Sequence, residues 1–349
     1  MTQQVSRSEK NVTIADVAAR SGVSRAAVSK VFNGRGGISV ATEARIRKAA
    51  EDLGWTRSSA AFALRSSKSM AVGLILNTAV ADPDAIPMTP QVLLGIEQVI
   101  AKLGYGLLLH VFSDNPEDEN QAYRRLAADK RVDGVLLTNA RIDDARFKLL
   151  ADLGLPAVLI GSPPPGLSFP HVDNTPPGAG VDESVRHLVE LGHRKIAYIG
   201  GPNSRVQPKI RAEAFLESMA SAGLQPTATV SIGSTAEMAV TATKQVMCQP
   251  EPPTALIFGG DVMAMAAMHY LRGTGLDIPG DVSVVGFDDQ PVAEYMNPGL
   301  TTVTRNSTQR GMHAAIQLLR ILGLDLPDPG PLDRPRLIVR GSTGPAADR

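Results

Sequence analysis

The chain has 349 residues, 43% hydrophobic and 20% charged, which is enough apolar mass for two or three packed domains and too much for a disordered polymer. Its one cysteine, Cys248, excludes a disulfide scaffold or a Cys-rich zinc site. A polar N-terminus and the lack of any apolar run of about eighteen residues argue against a secretory signal or a membrane span, so a reducing, cytoplasmic setting is expected. The formal net charge of zero conceals a division at Met70. Residues 1–70 hold 12 Lys or Arg against 5 Asp or Glu, a net +7, and the remainder holds 23 against 30, a net −7. A small basic head on a large acidic body points to a polyanion-binding segment attached to something with a different task.

Taken in chain order, residues 14–21 read as a short helix, with Thr13 as N-cap, Asp16 completing a capping box, and Ile14, Val17 and Ala18 on one face. Gly22 stops it. Ser24 caps a second helix running to about residue 32, in which Ala27, Val28 and Val31 form the buried stripe before Asn33-Gly34 ends the element. A third helix over 40–53 closes a small core with Ile46, Ala49, Ala50 and Leu53, and leaves Arg45, Arg47 and Lys48 to solvent or phosphate. Two helices across a turn of about three residues have the spacing of a helix-turn-helix.

From Met70 onward, short apolar runs alternate with helical stretches. Strands are expected at 72–76, 106–111, 134–137, 156–160, 195–199, 255–258 and 282–287, with helices at 91–103, 117–128, 144–153, 178–191, 209–222, 236–247 and 261–272. This alternation predicts two parallel sheets with helices on both faces, hence a bilobed body with a crevice off the strand carboxyl ends. Signatures of nucleotide binding, dinucleotide binding, zinc proteolysis and the serine-hydrolase elbow are absent, so an enzyme is not expected. The six histidines are scattered without ligand spacing and read as surface or cap residues, so no metal site and no cofactor is expected.

The stretch TIADVAARSGVSRAAVSKVFNG, Thr13 to Gly34, closely resembles the DNA-binding headpiece of the LacI/GalR (lactose-repressor) family of bacterial transcription regulators. Val132-Asp133-Gly134, Leu191-Gly192-His193-Arg194-Lys195, Gly260-Asp261-Val262-Met263-Ala264, Asp277 to Asp289 and Leu300-Thr301-Thr302-Val303 extend the likeness to almost the whole chain, and make the body similar to periplasmic sugar-binding proteins. The resemblance implies a headpiece over 1–54, a hinge helix and linker over 55–69, and a body over 70–349. Within the body it implies an N-lobe of 71–170 plus 301–328 and a C-lobe of 171–300 plus 329–345, with three chain crossings between them. It further implies a homodimer on a pseudo-palindromic operator, without membrane attachment, controlled by a small metabolite held between the lobes.

On the family pattern, Arg25, Ala26 and Lys30 read bases, Arg25 by bidentate contact to a guanine, while Thr13, Ser24, Ser29 and Asn33 position the headpiece on phosphates. Leu64 is the expected minor-groove wedge of the hinge helix, although Arg57-Ser58 stands where relatives carry Pro-Asn. For the effector, Arg211 matches the crevice arginine of relatives and Asp288 ends a strand, with Arg205, Gln207 and Asp261 as second-rank candidates. The alternative for Arg211 and Asp288 is a structural pair that braces the lobe. Where relatives carry Asp-Arg after the 156–160 strand this chain has Gly161-Ser162, which removes a usual hydroxyl acceptor. A sugar or sugar derivative is the first expectation for the effector. A purine- or nucleoside-responsive regulator and an effector-independent regulator driven by a protein partner stay open as alternatives.

Overall fold

The computed structural model describes residues 12–32, 37–55, 68–78, 90–113, 115–173, 176, 178–233 and 235–347. They fall into two compact units, Met1–Ser69 and Met70–Arg349. Asn33, the hinge segment with Leu64, and most of the loop after the first strand of the body lie outside the described residues.

The first unit is built from α1 (Ile14–Ser21), α2 (Arg25–Phe32) and α3 (Val40–Asp52). Helix α1 starts where the Thr13 backbone N–H donates to Asp16 Oδ2 at 2.8 Å, and stops at Gly22, whose φ of 67° only glycine adopts without strain. The Ser24 hydroxyl accepts from Ala27 N at 3.2 Å, and Ser39 Oγ from Thr42 N at 3.3 Å, so α2 and α3 each begin on a serine oxygen. Val17, Val28, Val31 and Ile46 pack with Ala18, Ala49 and Ala50, and Phe32 meets Trp55 edge to face at 4.9 Å. The three expected helices are all present, the third ending one residue early at Asp52, where Leu53 caps it.

The second unit runs β1 (Ala71–Thr78), α4 (Pro90–Ile100), β2 (Gly106–Ser113), α5 (Pro116–Ala128), β3 (Gly134–Thr138), α6 (Arg146–Asp152), β4 (Ala157–Ile160) and β5 (His171–Val172). There follow α7 (Val181–Glu190), β6 (Ile196–Gly200), α8 (Val206–Ser221), β7 (Ala228–Ser231), α9 (Ala236–Met247), β8 (Ala255–Phe258) and α10 (Asp261–Gly273). The chain ends with β9 (Ser283–Asp288), α11 (Pro291–Glu294), β10 (Thr301–Thr304), α12 (Ser307–Ile321) and β11 (Arg336–Ile338). One sheet has the order β2-β1-β3-β4-β5 and is parallel throughout; the other has the order β11-β10-β9-β8-β6-β7 and is parallel except where β11 meets β10. Central strands are apolar on both faces, as in Val135-Leu136-Leu137 and Leu256-Ile257-Phe258, because helices cover both sides.

Strand pairing moves the lobe boundaries read from the sequence. Thr301–Thr304 pairs with β9 in the second sheet, so the crossing expected at 297–300 falls after Thr304. His171 and Val172 pair with Leu159 and Ile160 in the first sheet, so the chain leaves that lobe after Val172 rather than before it. Leu324, Leu326 and Leu332 pack on the core of the first sheet, which extends that lobe past the expected limit at 328. In each case a hydrogen-bonded or apolar partner distant in sequence decides the border, which a local pattern cannot show. His193 also departs from expectation. It is 1% exposed, with Nδ1 2.8 Å from Thr254 Oγ1 and Nε2 3.0 Å from Ser283 Oγ, so it ties the second lobe together instead of sitting on its surface.

Helices α4 and α12 touch backbone to backbone. A Cβ on Gly95 would run into the Thr308 carbonyl, and one on Gly311 into the carbonyl of Val92. Gly95→Ala is therefore expected to destabilise the body by about 1–3 kcal/mol, the usual cost of overpacking, in contrast to the gain a helical Gly→Ala gives at an open site. Thermal unfolding of the variant checks this; an unchanged or raised midpoint would contradict the close approach.

Candidate effector cleft and nucleic-acid interface

At the start of α2, Arg25, Ala26 and Lys30 are exposed and Ser29 is half-buried, as a base-reading helix end requires. The two expected phosphate contacts at helix starts differ in what they can donate. Ser24 uses a lone pair to receive Ala27 N–H, so its hydroxyl proton is free for a phosphate. Thr13 already donates its hydroxyl to Asp16 Oδ2 at 2.7 Å, which leaves that oxygen an acceptor only. Asn33 and Leu64 lie outside the described residues.

The body carries a narrow cleft, open to solvent and lined from both lobes. Ser162, Asp173 and Arg310 come from the segments around the first sheet. Gln207, Ile210 and Arg211 come from the first turns of α8, and Phe287 and Arg305 from the ends of β9 and β10. Gly178 and Ala179, just ahead of α7, complete that side. This is the crevice at the carboxyl ends of the strands that the alternating pattern predicted.

Asp173 is its most heavily bonded anion. Its Oδ2 accepts from Ser162 Oγ at 2.7 Å and from Gln207 Nε2 at 2.8 Å, while Oδ1 receives Arg310 Nη1 at 3.1 Å. Burial pushes this carboxyl up, yet the Arg310 guanidinium and the Ser162 hydroxyl outweigh it and hold it well below the ordinary carboxylate range. Gln207 thus bridges from α8 to Ser162 and Asp173, linking the two lobes through a side chain.

Arg211 lies over the Phe287 ring, its guanidinium carbon 4.6 Å from the centroid, and Arg305 approaches the same ring at 5.7 Å. The Nε of Arg211 is buried without a hydrogen-bond partner, as is Nη2 of Arg310. Asp288, at the end of β9, stands 3.4 Å from Arg305 Nη1 and has a φ of 110°, a conformation that non-glycine residues rarely adopt. Asp289 follows with φ 50° and binds Arg340 at 2.8 Å.

Arg205 and Asp261 are placed differently from the second-rank roles expected of them. Arg205 turns its Nη1 to the Asn139 carbonyl at 2.8 Å, and its backbone forms an antiparallel bridge with Arg141. On either side of that bridge Ile142 N donates to Ser204 O and Val206 N to Ala140 O, both at 2.9 Å, so a short ladder clasps one lobe to the other beside the cleft. Asp261 is 0% exposed and does not line the cleft. It accepts from Gln290 N at 2.7 Å and from the Thr302 hydroxyl at 2.5 Å, bracing the strained turn at Asp288–Asp289.

Burial and the neighbouring Asp288 push the Asp261 carboxyl up to about 7. A carboxyl raised in the folded state binds protons that the unfolded chain has released, so its titration lowers stability as pH rises from its ordinary 3.8 to about 7. Asp261→Asn should flatten that portion of the stability–pH curve relative to the parent chain. Parallel slopes for the two proteins across that window would refute the shift.

Arg305, Arg310, Asp173 and Phe287 were not found from sequence. Arg310 is brought to the cleft only by the crossing after β10.

Comparison with known proteins agrees with this architecture. The family described as bacterial regulatory proteins, lacI family, matches residues 13–58, and the periplasmic binding protein-like domain matches residues 185–343. The chain is 31% identical to the HTH-type transcriptional regulator CelR of Thermobifida fusca over 318 residues, covering 89% of this chain and 92% of the relative. It is 32% identical to the HTH-type transcriptional regulator AglR of Rhizobium meliloti (strain 1021) over 348 residues, covering 97% and 96%. Among solved structures, the lac repressor dimer bound to operator and the anti-inducer ONPF superposes with a TM-score of 0.79 at 26% identity, over 96% of this chain and 100% of that one.

Proposed function

Because this chain belongs to the LacI family of bacterial regulatory proteins, we propose that it is a cytoplasmic, homodimeric transcription repressor whose hold on a pseudo-palindromic operator is set by a small metabolite bound in the interlobe cleft. The observation that carries the reading is the pairing of an exposed Arg25-Ala26 at the start of α2 with a polar cleft that draws side chains from both lobes. A ligand touching Gln207 and Arg211 on one side and Ser162 and Arg310 on the other has differential affinity for closed and open lobes, which is the thermodynamic requirement for an allosteric effector. By linkage, operator DNA changes metabolite affinity by the same factor.

In the headpiece, Arg25 presents a planar fork suited to guanine O6 and N7, whereas Lys30 offers a point charge of lower directionality. Ser24 and Ser29 hold register on the phosphates. In the body, Arg211 and Asp288 are the proposed ligand-binding pair, with Gln207 as a contact that either ligand or Asp173 can occupy. Arg205 and Asp261 act at one remove, through the interlobe ladder and the Asp288 turn.

Selection of duplexes from a random pool with the full chain tests the reading. The enriched site should be two-fold symmetric, with half-sites about one helical turn apart. Arg25→Ala should lose about 1–3 kcal/mol of discrimination at one base pair of each half-site, with other positions unchanged. An enriched pool without symmetry, or no enrichment, would defeat the proposal.

A further inference from the structure

The charges of the cleft do not balance. Among the described residues, three guanidiniums, of Arg211, Arg305 and Arg310, meet there, and the carboxylates available to them are those of Asp173 and Asp288. Asp173 is already surrounded by Ser162, Gln207 and Arg310 Nη1. Among the described residues Asp288 bonds to Arg305 alone, and at 3.4 Å the contact is loose. Among the described residues, Arg310, 4% exposed, keeps Nη2 without a hydrogen-bond partner, and the half-buried Arg211 keeps its Nε in that state near the buried Tyr198 hydroxyl. An unsatisfied donor on a buried cation carries a full desolvation penalty, so two of them lining one cleft mark a place where an acceptor belongs.

Backbone geometry adds the same sign of field. Gly178 and Ala179 lead into α7, Gln207 and Arg211 sit in the first turns of α8, and Arg305 and Arg310 flank the start of α12. Three helices thus turn their amino ends, the positive ends of their dipoles, toward one cleft. Burial above all, and then the neighbouring Arg305, push Arg310 itself down to about 10 against the pull of Asp173.

We infer that the effector is an oxyanion-bearing small molecule, a hydroxylated carboxylate or phosphate ester, whose anionic group is received by Arg211, Arg305 and Arg310. Its hydroxyls then face Asp288 and Gln207. The inference rests on the reading of this cleft as the effector site, and it separates the ligand from an uncharged sugar.

Calorimetric titration of the full chain at constant ionic strength with gluconate, glucuronate, glucose 6-phosphate and inorganic phosphate, against glucose, tests this. At least one anion should bind at least about ten-fold more tightly than glucose, and the arms tell carboxylate from phosphate. Arg305→Gln, at a partly exposed position where folding is not at stake, should weaken that anion by about ten-fold or more, and Arg305→Lys by less. Glucose binding as tightly as every anion, or no anion binding at all, overturns the inference. If glucose binding is then lost in Arg211→Ala, the cleft remains the effector site and only the charge class is wrong. Anion binding unchanged in both Arg305→Gln and Arg211→Ala places the anion elsewhere, and overturns both the inference and the cleft as sensor.

Discussion

Aspartate in place of Val28 is expected to remove sequence-specific DNA binding completely while ligand binding by the body continues. Val28 is fully buried, and it packs against Val17 and Ile46 at the centre of a core made of seven small or medium side chains. A core of this size supplies only about 3–5 kcal/mol of net stability, and an unpaired carboxylate within it costs at least as much. The first unit should therefore unfold as a whole, taking the Arg25 end of α2 with it. Specific binding commonly exceeds non-specific binding by about 10³–10⁷, and that whole factor is at risk. The body has its own cores around both sheets and should be indifferent. Fluorescence anisotropy with the selected duplex, alongside calorimetry with the cleft ligand, reads the two effects separately. Retained operator affinity would mean that Val28 is not the keystone of the helix-turn-helix.

Arg146→Ala should destabilise the body by about 3–5 kcal/mol, the cost of removing one partner from a buried ion network. The guanidinium forms a fork to Asp144, Nε to Oδ1 at 2.8 Å and Nη2 to Oδ2 at 2.6 Å. Its Nη1 meets Glu119 Oε1 at 2.8 Å. Glu119 is 0% exposed and is shared with Arg141 at 2.9 Å, so losing Arg146 leaves the buried carboxylates of Glu119 and Asp144 with one guanidinium fewer between them. The damage is not only thermodynamic, because Asp144 also accepts from Arg141 N at 3.0 Å, and Arg141 is the residue that bridges to Arg205 between the lobes. The variant should close its cleft less well as well as melt earlier.

A pH profile sharpens the test. Burial raises the Asp144 carboxyl, but its bonds to Arg146 dominate and hold it below the ordinary value of 3.8. Stability from such a depressed carboxyl is present in full above that ordinary value and is lost as pH falls through the folded one. Urea midpoints should consequently differ most between parent and variant near neutrality and converge in strong acid. A constant gap down to the acid limit would mean that Arg146 acts by packing alone.

The headpiece was legible because its determinants are local. Thr13, Asp16, Gly22, Ser24 and the alanine–valine stripes each act within four or five residues, and the structure uses them at the positions expected except for Ala27, which is half-buried and outside the core. The two sheets were legible for a related reason, since Val135-Leu136-Leu137 or Leu256-Ile257-Phe258 between helical stretches has few other solutions. The lobe borders and the cleft were harder. Thr301–Thr304 looks the same whichever sheet it joins, and its choice of β9 is made by a partner that a local reading does not see. Asp173 and Arg310 lie far apart in the chain, and either one alone reads as an ordinary surface charge. Asp261 erred in the opposite sense: a strand-end acid beside a glycine pair suggests a ligand contact, but Thr302 and Gln290 N consume both of its oxygens.

The three crossings of the chain between the lobes also govern how the protein comes into being on the ribosome. The first sheet is complete by Val172, but the face that α4 covers needs α12, whose residues begin at Ser307, and the second sheet receives its last strand at Arg336–Ile338. At about 5–20 residues per second, the headpiece is finished many seconds before either lobe can close its core. A nascent chain therefore passes through a long interval with a folded DNA-binding end and an unfinished body. A message truncated anywhere before residue 307 yields no half-protein with one sound lobe, since both remain open along an apolar face and become clients of chaperones and proteases.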